Sequence, residues 1–161
     1  MNHHTSSKQT RTAGVLLGVG LGGFVDGIAL HQIAQWHNML SAKVPPNTMD
    51  AMMLNMRADG WFHAVVFMFT LVGLMLLYRA ARQGASFPSE RWFIGLLIIG
   101  WGVFNLVEGV INHHLLQLHH VRDLPVHLPV YDYAFLLIGG VGLIALGWLL
   151  TRGQVASGSD Q

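Results

Sequence analysis

Cysteine is absent from this 161-residue chain, and charged side chains are scarce. The absence of cysteine excludes disulfides, thiolate zinc sites, iron–sulfur clusters and the covalent attachment of c-type haem. Charged residues make up 11% of the chain, whereas soluble domains carry about 25%. The net charge of +1 leaves no dense basic face that could neutralise nucleic-acid phosphates. With 52% hydrophobic residues, the composition indicates a membrane protein without thiolate ligands for a metal.

Four apolar segments are long enough to cross a bilayer as helices. They cover residues 13–33, 61–78, 92–111 and 133–150. The sequence therefore predicts an all-α integral membrane protein, a four-helix bundle with one domain over 13–151 between polar cytoplasmic tails at 1–12 and 152–161. The lipid bilayer is the expected partner, and a homo-oligomer or a larger membrane complex is a further alternative.

Two of the connecting segments contain features that predict local structure. Four methionines between 49 and 56 predict a short interfacial helix. Soft Cu(I) ligation is the alternative, but methionines at these spacings more often pack apolar surface. Pro125 and Pro129 predict that residues 121–130 are free of helix.

Lysine and arginine lie mainly on one side of the predicted bundle. Six flank the termini or separate the second and third spans: Lys8, Arg11, Arg79, Arg82, Arg91 and Arg152. Three lie on the other side: Lys43, Arg57 and Arg122. Because cytoplasmic loops carry the excess of positive charge, this distribution predicts that both termini are cytoplasmic.

The first span contains a glycine motif with two interpretations. Gly18, Gly20 and Gly23 match the G-x-G-x-x-G pattern that cradles a pyrophosphate, but no strand precedes them. Gly14, Gly18 and Gly22 recur every four residues, a spacing typical of close helix packing in lipid. We therefore expect a packing face rather than a nucleotide site.

An internal repeat carries most of the polar residues. Residues 26–37 align without a gap on residues 108–119, 82 positions later, and share the pattern acid-Gly-x3-His-x3-Gln-x-His. Asp59 and Asp132 each precede the next apolar helix. This pattern predicts two tandem helical hairpins with the same orientation in the membrane. They extend over about 13–80 and about 91–151.

Ionisable residues inside a membrane usually turn inward, where they pair or bind a ligand. All those of the repeat fall on the predicted extracytoplasmic side, which predicts a metal site there. The expected ligands are Asp26, His31, His63, Glu108 and His113. A more exposed outer layer would contain His37, Asp59, His114, His119, His120, His127 and Asp132. Gln35 and Gln117 are expected to orient the histidine one turn earlier.

The geometry of a straight helix predicts that the histidine at the end of each repeat motif lies in the outer layer. Asp26 and His37 are eleven residues apart, as are Glu108 and His119, which corresponds to roughly 16 Å along a helix axis. We therefore expect that no single ion binds both ends of either pair. Two alternatives need no metal: Asp59 and Asp132 could be helix N-caps, and His119, His120 and His127 could be interfacial residues.

Imidazole and carboxylate without thiolate suit Fe, Zn, Mn or Cu(II), of which Fe, Cu and Zn are the main candidates. The Glu-x-x-His pairs of soluble di-iron bundles are missing. The main alternative is haem b held between His31 and His113 as a bis-histidine electron-transfer site. Further alternatives are a proton- or ion-conducting chain of acids and histidines and a purely structural subunit. The sequence leaves open whether the protein is an enzyme.

Two motifs resemble a known family. The segment GGFVDGIALHQIAQWH at 22–37, with DGWFH at 59–63, is similar to a bacterial family of predicted four-span, His-rich membrane proteins classified as a domain of unknown function. The resemblance covers nearly the whole chain apart from its polar ends. It implies a location in the bacterial inner membrane and a four-span fold, and it implies no activity.

Overall fold

The computed structural model describes residues 3–85 and 89–152, and in that part of the chain every regular element is a helix. The elements are α1 (His3–Asp26), π1 (Gly27–Ile33), α2 (Met49–Arg82), α3 (Glu90–Glu108), π2 (Gly109–Leu115), α4 (Pro129–Ala134), π3 (Phe135–Gly142) and α5 (Leu143–Arg152). They form four helices long and apolar enough to cross a membrane, which confirms the predicted fold class. These are span 1 (Ser7–Ile33), span 2 (Met49–Arg82), span 3 (Glu90–Leu115) and span 4 (Pro129–Arg152).

Spans 1 and 3 form the centre of the protein. Span 2 packs against span 1, and span 4 packs against span 3. Half of the most apolar stretch of span 1 is buried inside the protein, whereas 11% of the corresponding stretches of spans 2 and 4 is buried. The two flanking helices therefore present most of their apolar surface outward, as helices in contact with lipid do.

Glycines allow spans 1 and 3 to approach closely. A Cβ atom on Gly18 would lie 2.1 Å from the Leu97 carbonyl oxygen, and one on Gly100 would lie 2.1 Å from that of Val15. Any larger side chain would therefore push the two backbones apart. The predicted packing role of this glycine face is confirmed.

Several predicted boundaries are wrong. Residues 49–56 are not a separate interfacial helix but the first turns of span 2, because the Thr48 hydroxyl caps that helix by accepting a hydrogen bond from Ala51 N at 3.3 Å. Pro129 begins α4 instead of excluding helix, since proline has no N–H to lose in a first turn. Helix α1 begins at His3, so helix extends into residues 1–12; that these residues form a polar cytoplasmic tail stays a prediction.

Spans 1 and 3 end in the same unusual way. Each closes with a π-helix, and the next turn is closed by Trp36 N donating to Leu30 O at 3.0 Å and Leu118 N donating to Asn112 O at 2.8 Å. Gln35 and Gln117 both have φ of 49°, in the left-handed region that residues other than glycine seldom adopt. The chain consequently reverses direction after each π-helix.

The loops that follow, 34–48 and 116–128, lie at the same end of the protein, which we call the loop end. Ala42 N donates to Leu118 O at 3.0 Å, and the Ser41 hydroxyl donates to Asp123 Oδ2 at 2.6 Å. Each loop therefore supports the other, and together they cover the ends of spans 1 and 3.

Candidate metal centre

Four histidines meet beneath the two loops. His31 and His113 come from the π-helices, and His37 and His119 come from the loops that reverse after them. All four are buried, with exposed fractions of 2% or less. The rings of His37 and His119 stack with centroids 4.5 Å apart, His31 lies 4.3 Å from His37, and His113 lies 4.9 Å from His119. We call this group the four-histidine centre.

The Nδ1 atoms of these rings point away from the centre. His37 Nδ1 donates to the Val121 carbonyl oxygen at 2.9 Å, and His119 Nδ1 donates to that of Met39 at 3.1 Å. Because a carbonyl can only accept, Nδ1 of both rings carries a proton, and Nε2 has a lone pair whenever the ring is neutral.

Carboxylates lie beside the Nδ1 atoms of the other two rings. His31 Nδ1 donates to Asp59 Oδ1 at 2.9 Å. His113 Nδ1 lies 3.5 Å from Asp132 Oδ1, within ion-pair distance but without a hydrogen bond. Asp59 also accepts hydrogen bonds from Met39 N and the Asn38 amide, so its position is well fixed.

The Nε2 atoms face inward, toward two further buried carboxylates. His31 Nε2 lies 3.3 Å from Asp26 Oδ2, and Glu108 Oε1 lies 3.2 Å from His113 Nε2 and 2.7 Å from His119 Nε2. Among the described residues, His37 Nε2, Asp26 Oδ2 and Glu108 Oε2 have no hydrogen-bond partner. Buried polar atoms of this kind are rare in native proteins and are typical of a site that binds an ion or water.

Two overlapping groups of side chains have the geometry to hold a metal ion, with all ligand atoms within 4.8 Å of one another. They are His31, His37 and His119, and Glu108, His113 and His119. His119 belongs to both groups, and because its Nδ1 donates to Met39 O only its Nε2 is directed inward, so the two groups describe a single shared centre.

Burial determines the protonation state of the ring that has no carboxylate partner. Removal from water lowers the pKa of His37 well below its ordinary value, and the neighbouring His119 and His31 rings lower it further. His37 is consequently neutral around pH 7, which is the state in which an imidazole binds a metal.

The expected separation of the two ends of each repeat motif is wrong. His119 Nε2 lies 2.7 Å from Glu108 Oε1, although a straight helix would keep these residues roughly 16 Å apart. The left-handed residues at positions 35 and 117 turn the chain back, so that His37 and His119 lie inside the centre and not in an outer layer. Their role as ligands stays a prediction.

Four of the five residues expected in the centre are brought together: Asp26, His31, Glu108 and His113. The fifth, His63, is half-buried at the edge, where its Nδ1 donates to the Asp59 carbonyl oxygen at 2.8 Å. Gln35 and Gln117 do not orient the histidine rings, because both side chains are exposed and the Nδ1 atoms are held by other groups. Their contribution lies in the backbone reversal.

Asp59 and Asp132 are not N-caps, because Thr48 and Leu128 occupy those positions. Both are buried and contact a histidine of the centre. His120 and His127 lie on the far side of Asp132, nearer the surface, and His114 is exposed. Removal from water lowers the pKa of His120 against the opposing effect of the Asp132 carboxylate.

The middle of each span has no charged side chain and no histidine. No Asp, Glu, Lys, Arg or His occurs in 12–25, 64–78, 92–107 or 133–151. The centre therefore has no continuation of charged residues toward the opposite end.

Comparisons with known proteins add the family but no activity. No curated protein and no solved structure matches this chain. Residues 13–154 match the family described as "Predicted membrane protein (DUF2243)", which covers both hairpins and the whole four-histidine centre. The chain belongs to this family of predicted membrane proteins.

Proposed function

We propose that this protein is a membrane metalloprotein that binds a transition-metal ion at the four-histidine centre, with Asp26 and Glu108 as anionic ligands. The distribution of lysine and arginine supports an extracytoplasmic position of the loop end. Iron, copper and zinc all suit a set of imidazole and carboxylate ligands. Iron or copper would supply redox chemistry, and zinc would supply a structural or Lewis-acid role.

The orientation of the four rings supports this proposal most strongly. Each Nδ1 faces a carbonyl or carboxylate, and each Nε2 faces the centre. This is the pattern of metal-binding histidines, in which an outer partner fixes the tautomer and leaves the opposite nitrogen free for the ion.

The contact between His119 and Glu108 also favours a cation. In neutral His119, with its proton on Nδ1, the lone pair of Nε2 faces a carboxylate oxygen at 2.7 Å. Two acceptors at this distance repel one another unless a proton or a metal ion lies between them. His31 Nε2 lies 3.3 Å from Asp26 Oδ2 while its Nδ1 faces Asp59, so a proton or a metal ion would equally satisfy this second contact.

Haem between His31 and His113 fits this arrangement poorly. A porphyrin would have to lie between the two rings, and that space is filled by the stacked rings of His37 and His119. A proton path through the membrane is also disfavoured, because no acid or histidine occurs in 12–25, 64–78, 92–107 or 133–151.

The test is elemental analysis with visible absorption on protein purified in detergent from metal-supplemented cells. We expect at least one equivalent of Fe, Cu or Zn in the wild type, and its loss in His37→Ala and in His119→Ala. His114→Ala and His63→Ala are matched controls, because both residues lie near the centre without facing it, and they should retain the metal. Gel filtration and circular dichroism would confirm that all variants are folded.

Two outcomes would contradict the proposal. A Soret band in the wild type would establish haem in place of a directly bound ion. Wild-type protein without stoichiometric metal or pigment would leave protons as the only cations in the centre and favour a proton-relay or structural role.

A further inference from the structure

A second group of ligands lies between the four-histidine centre and the surface. His120 Nδ1 lies 3.0 Å from Asp132 Oδ2, and His127 Nε2 lies 3.1 Å from the same oxygen. The two rings stack with centroids 3.9 Å apart, and their ligand atoms are within 4.8 Å of one another. We call these three residues the outer triad. Two histidines and one carboxylate are a common ligand set for zinc, with water at the fourth position.

The outer triad is accessible from outside. The side chain of His127 is 39% exposed and that of His120 is 19% exposed. Both line a cavity of about 150 Å³ whose wall also includes His113 and Asp132. His120 Nδ1 makes no hydrogen bond among the described residues, although it lies beside a carboxylate.

Asp132 connects the outer triad to the buried centre. Its Oδ2 faces His120 and His127, and its Oδ1 accepts a hydrogen bond from Val121 N at 2.8 Å and lies 3.5 Å from His113 Nδ1. A single carboxylate therefore contacts both ligand groups, with one oxygen directed to each.

The first hairpin has no counterpart of the outer triad. Asp59 occupies the position that Asp132 occupies in the second hairpin, but the residue that corresponds to His120 is Asn38. The Asn38 amide donates to Asp59 Oδ2 at 2.8 Å and thereby closes that side with a hydrogen bond. The first hairpin is therefore closed at the position where the second carries His120.

We propose that the outer triad is a second, exchangeable site for a divalent transition-metal ion, through which the four-histidine centre is loaded. Binding of an ion by His120, His127 and Asp132 is independent of the proposed function, whereas the loading role rests on it. Because the outer site is partly exposed to water, we expect it to bind metal more weakly than the buried centre does.

The test uses full-length protein in detergent, purified from metal-supplemented cells, desalted and then titrated with Zn²⁺ alone. The wild type should take up one further, weaker equivalent beyond the tightly held metal. His127→Ala and His120→Asn should weaken this uptake more than tenfold and leave the tight metal in place. His120→Asn reproduces the asparagine of the first hairpin, and His127 lies on an exposed loop, so one of the two is expected to fold even if the other does not.

His114→Ala is the control, since His114 lines the same cavity but its Nδ1 donates to the Gly109 carbonyl oxygen. For the loading role, metal would be stripped with a chelator and the rate of Co²⁺ uptake by the centre followed by absorption. We expect uptake to slow severalfold in His127→Ala and not in His114→Ala.

The outcomes separate the two proposals. If His127→Ala and His120→Asn bind the weaker Zn²⁺ equivalent as the wild type does, the outer site is refuted. If this equivalent is lost but Co²⁺ uptake keeps its rate, the loading role is refuted and the site remains. If the wild type holds no tight metal but still binds one weak equivalent that His127→Ala removes, the proposed function fails while the outer site stands.

Discussion

The two hairpins of this protein make the same contacts almost residue for residue, but the second one is more open to water. His37 donates to the carbonyl of residue 121, and its counterpart His119 donates to that of residue 39, which is the counterpart of 121. Asp59 and Asp132 each accept a hydrogen bond from the corresponding loop amide, Met39 N and Val121 N. The tandem repeat stays a prediction, and these reciprocal contacts are what a two-fold arrangement of two repeats would produce.

The two hairpins differ in the length of the acid at the centre and in the residues between the centre and the surface. Asp26 is one methylene shorter than Glu108, and only Glu108 comes within hydrogen-bond distance of the histidine of its own loop, His119. Asn38 closes the first half, whereas His120 and His127 leave the second half accessible. A shared backbone arrangement can therefore carry two chemically distinct halves, one closed and one suited to exchange.

We expect the largest effect from substitutions that disrupt the close contact between spans 1 and 3, to which both hairpins contribute equally. Gly18→Val and Gly100→Val each add a side chain whose Cβ would lie 2.1 Å from a backbone oxygen of the other span. Overpacking of this kind costs about 1–3 kcal/mol, and we expect the upper end of that range because backbone cannot move aside as a side chain can. Thermal unfolding in detergent, followed by tryptophan fluorescence, would measure the loss for both variants.

Gly60→Val is the matched control for this pair, because a Cβ at Gly60 would meet nothing within 4 Å. Its stability should stay within about 1 kcal/mol of the wild type. If Gly18→Val were strongly destabilised and Gly100→Val were not, the equivalence of the two halves at this contact would be refuted.

The four spans and the glycine face could be predicted from the sequence because long apolar runs and a four-residue glycine spacing are local signals. The positions of His37 and His119 could not, since they depend on glutamines in the left-handed conformation, for which glycine or asparagine is the usual signal. The repeat itself contained a usable hint: both histidines are part of the shared motif, although straight-helix geometry excluded them from the centre.

A second prediction concerns the acids that distinguish the two hairpins, Asp26 and Glu108. Glu108→Asp withdraws a carboxylate from both His113 and His119, so metal affinity should fall by more than the roughly 10–100-fold typical of losing an outer partner. Asp26→Glu gives the first hairpin an acid as long as that of the second, and this variant should bind at least as well as the wild type. Competition with a chelator of known affinity would measure both variants.

The double exchange, Asp26→Glu with Glu108→Asp, is the decisive control for the acids. It moves the longer carboxylate to the first half and should recover most of the affinity that Glu108→Asp loses. Equal losses in both single variants, without recovery in the double variant, would show that acid length does not distinguish the halves.

We expect the smallest effect from substitutions of the two carboxylates beside the histidine Nδ1 atoms, Asp59 and Asp132. Asp59→Asn removes a charge that holds His31 Nδ1 at 2.9 Å, and affinity for the central metal should fall by about 10–100-fold, as for other outer partners of histidine ligands. Asp132→Asn should reduce it less, because Asp132 lies 3.5 Å from His113 Nδ1 and makes no hydrogen bond to it. Chelator competition on desalted protein would measure the central ion alone. A larger loss of affinity in Asp132→Asn than in Asp59→Asn would contradict this prediction. It would mean that Asp132 contributes more to metal binding than Asp59 despite its longer contact with a histidine ring. The greater exposure of the second hairpin to water would then not be accompanied by weaker support of its histidine.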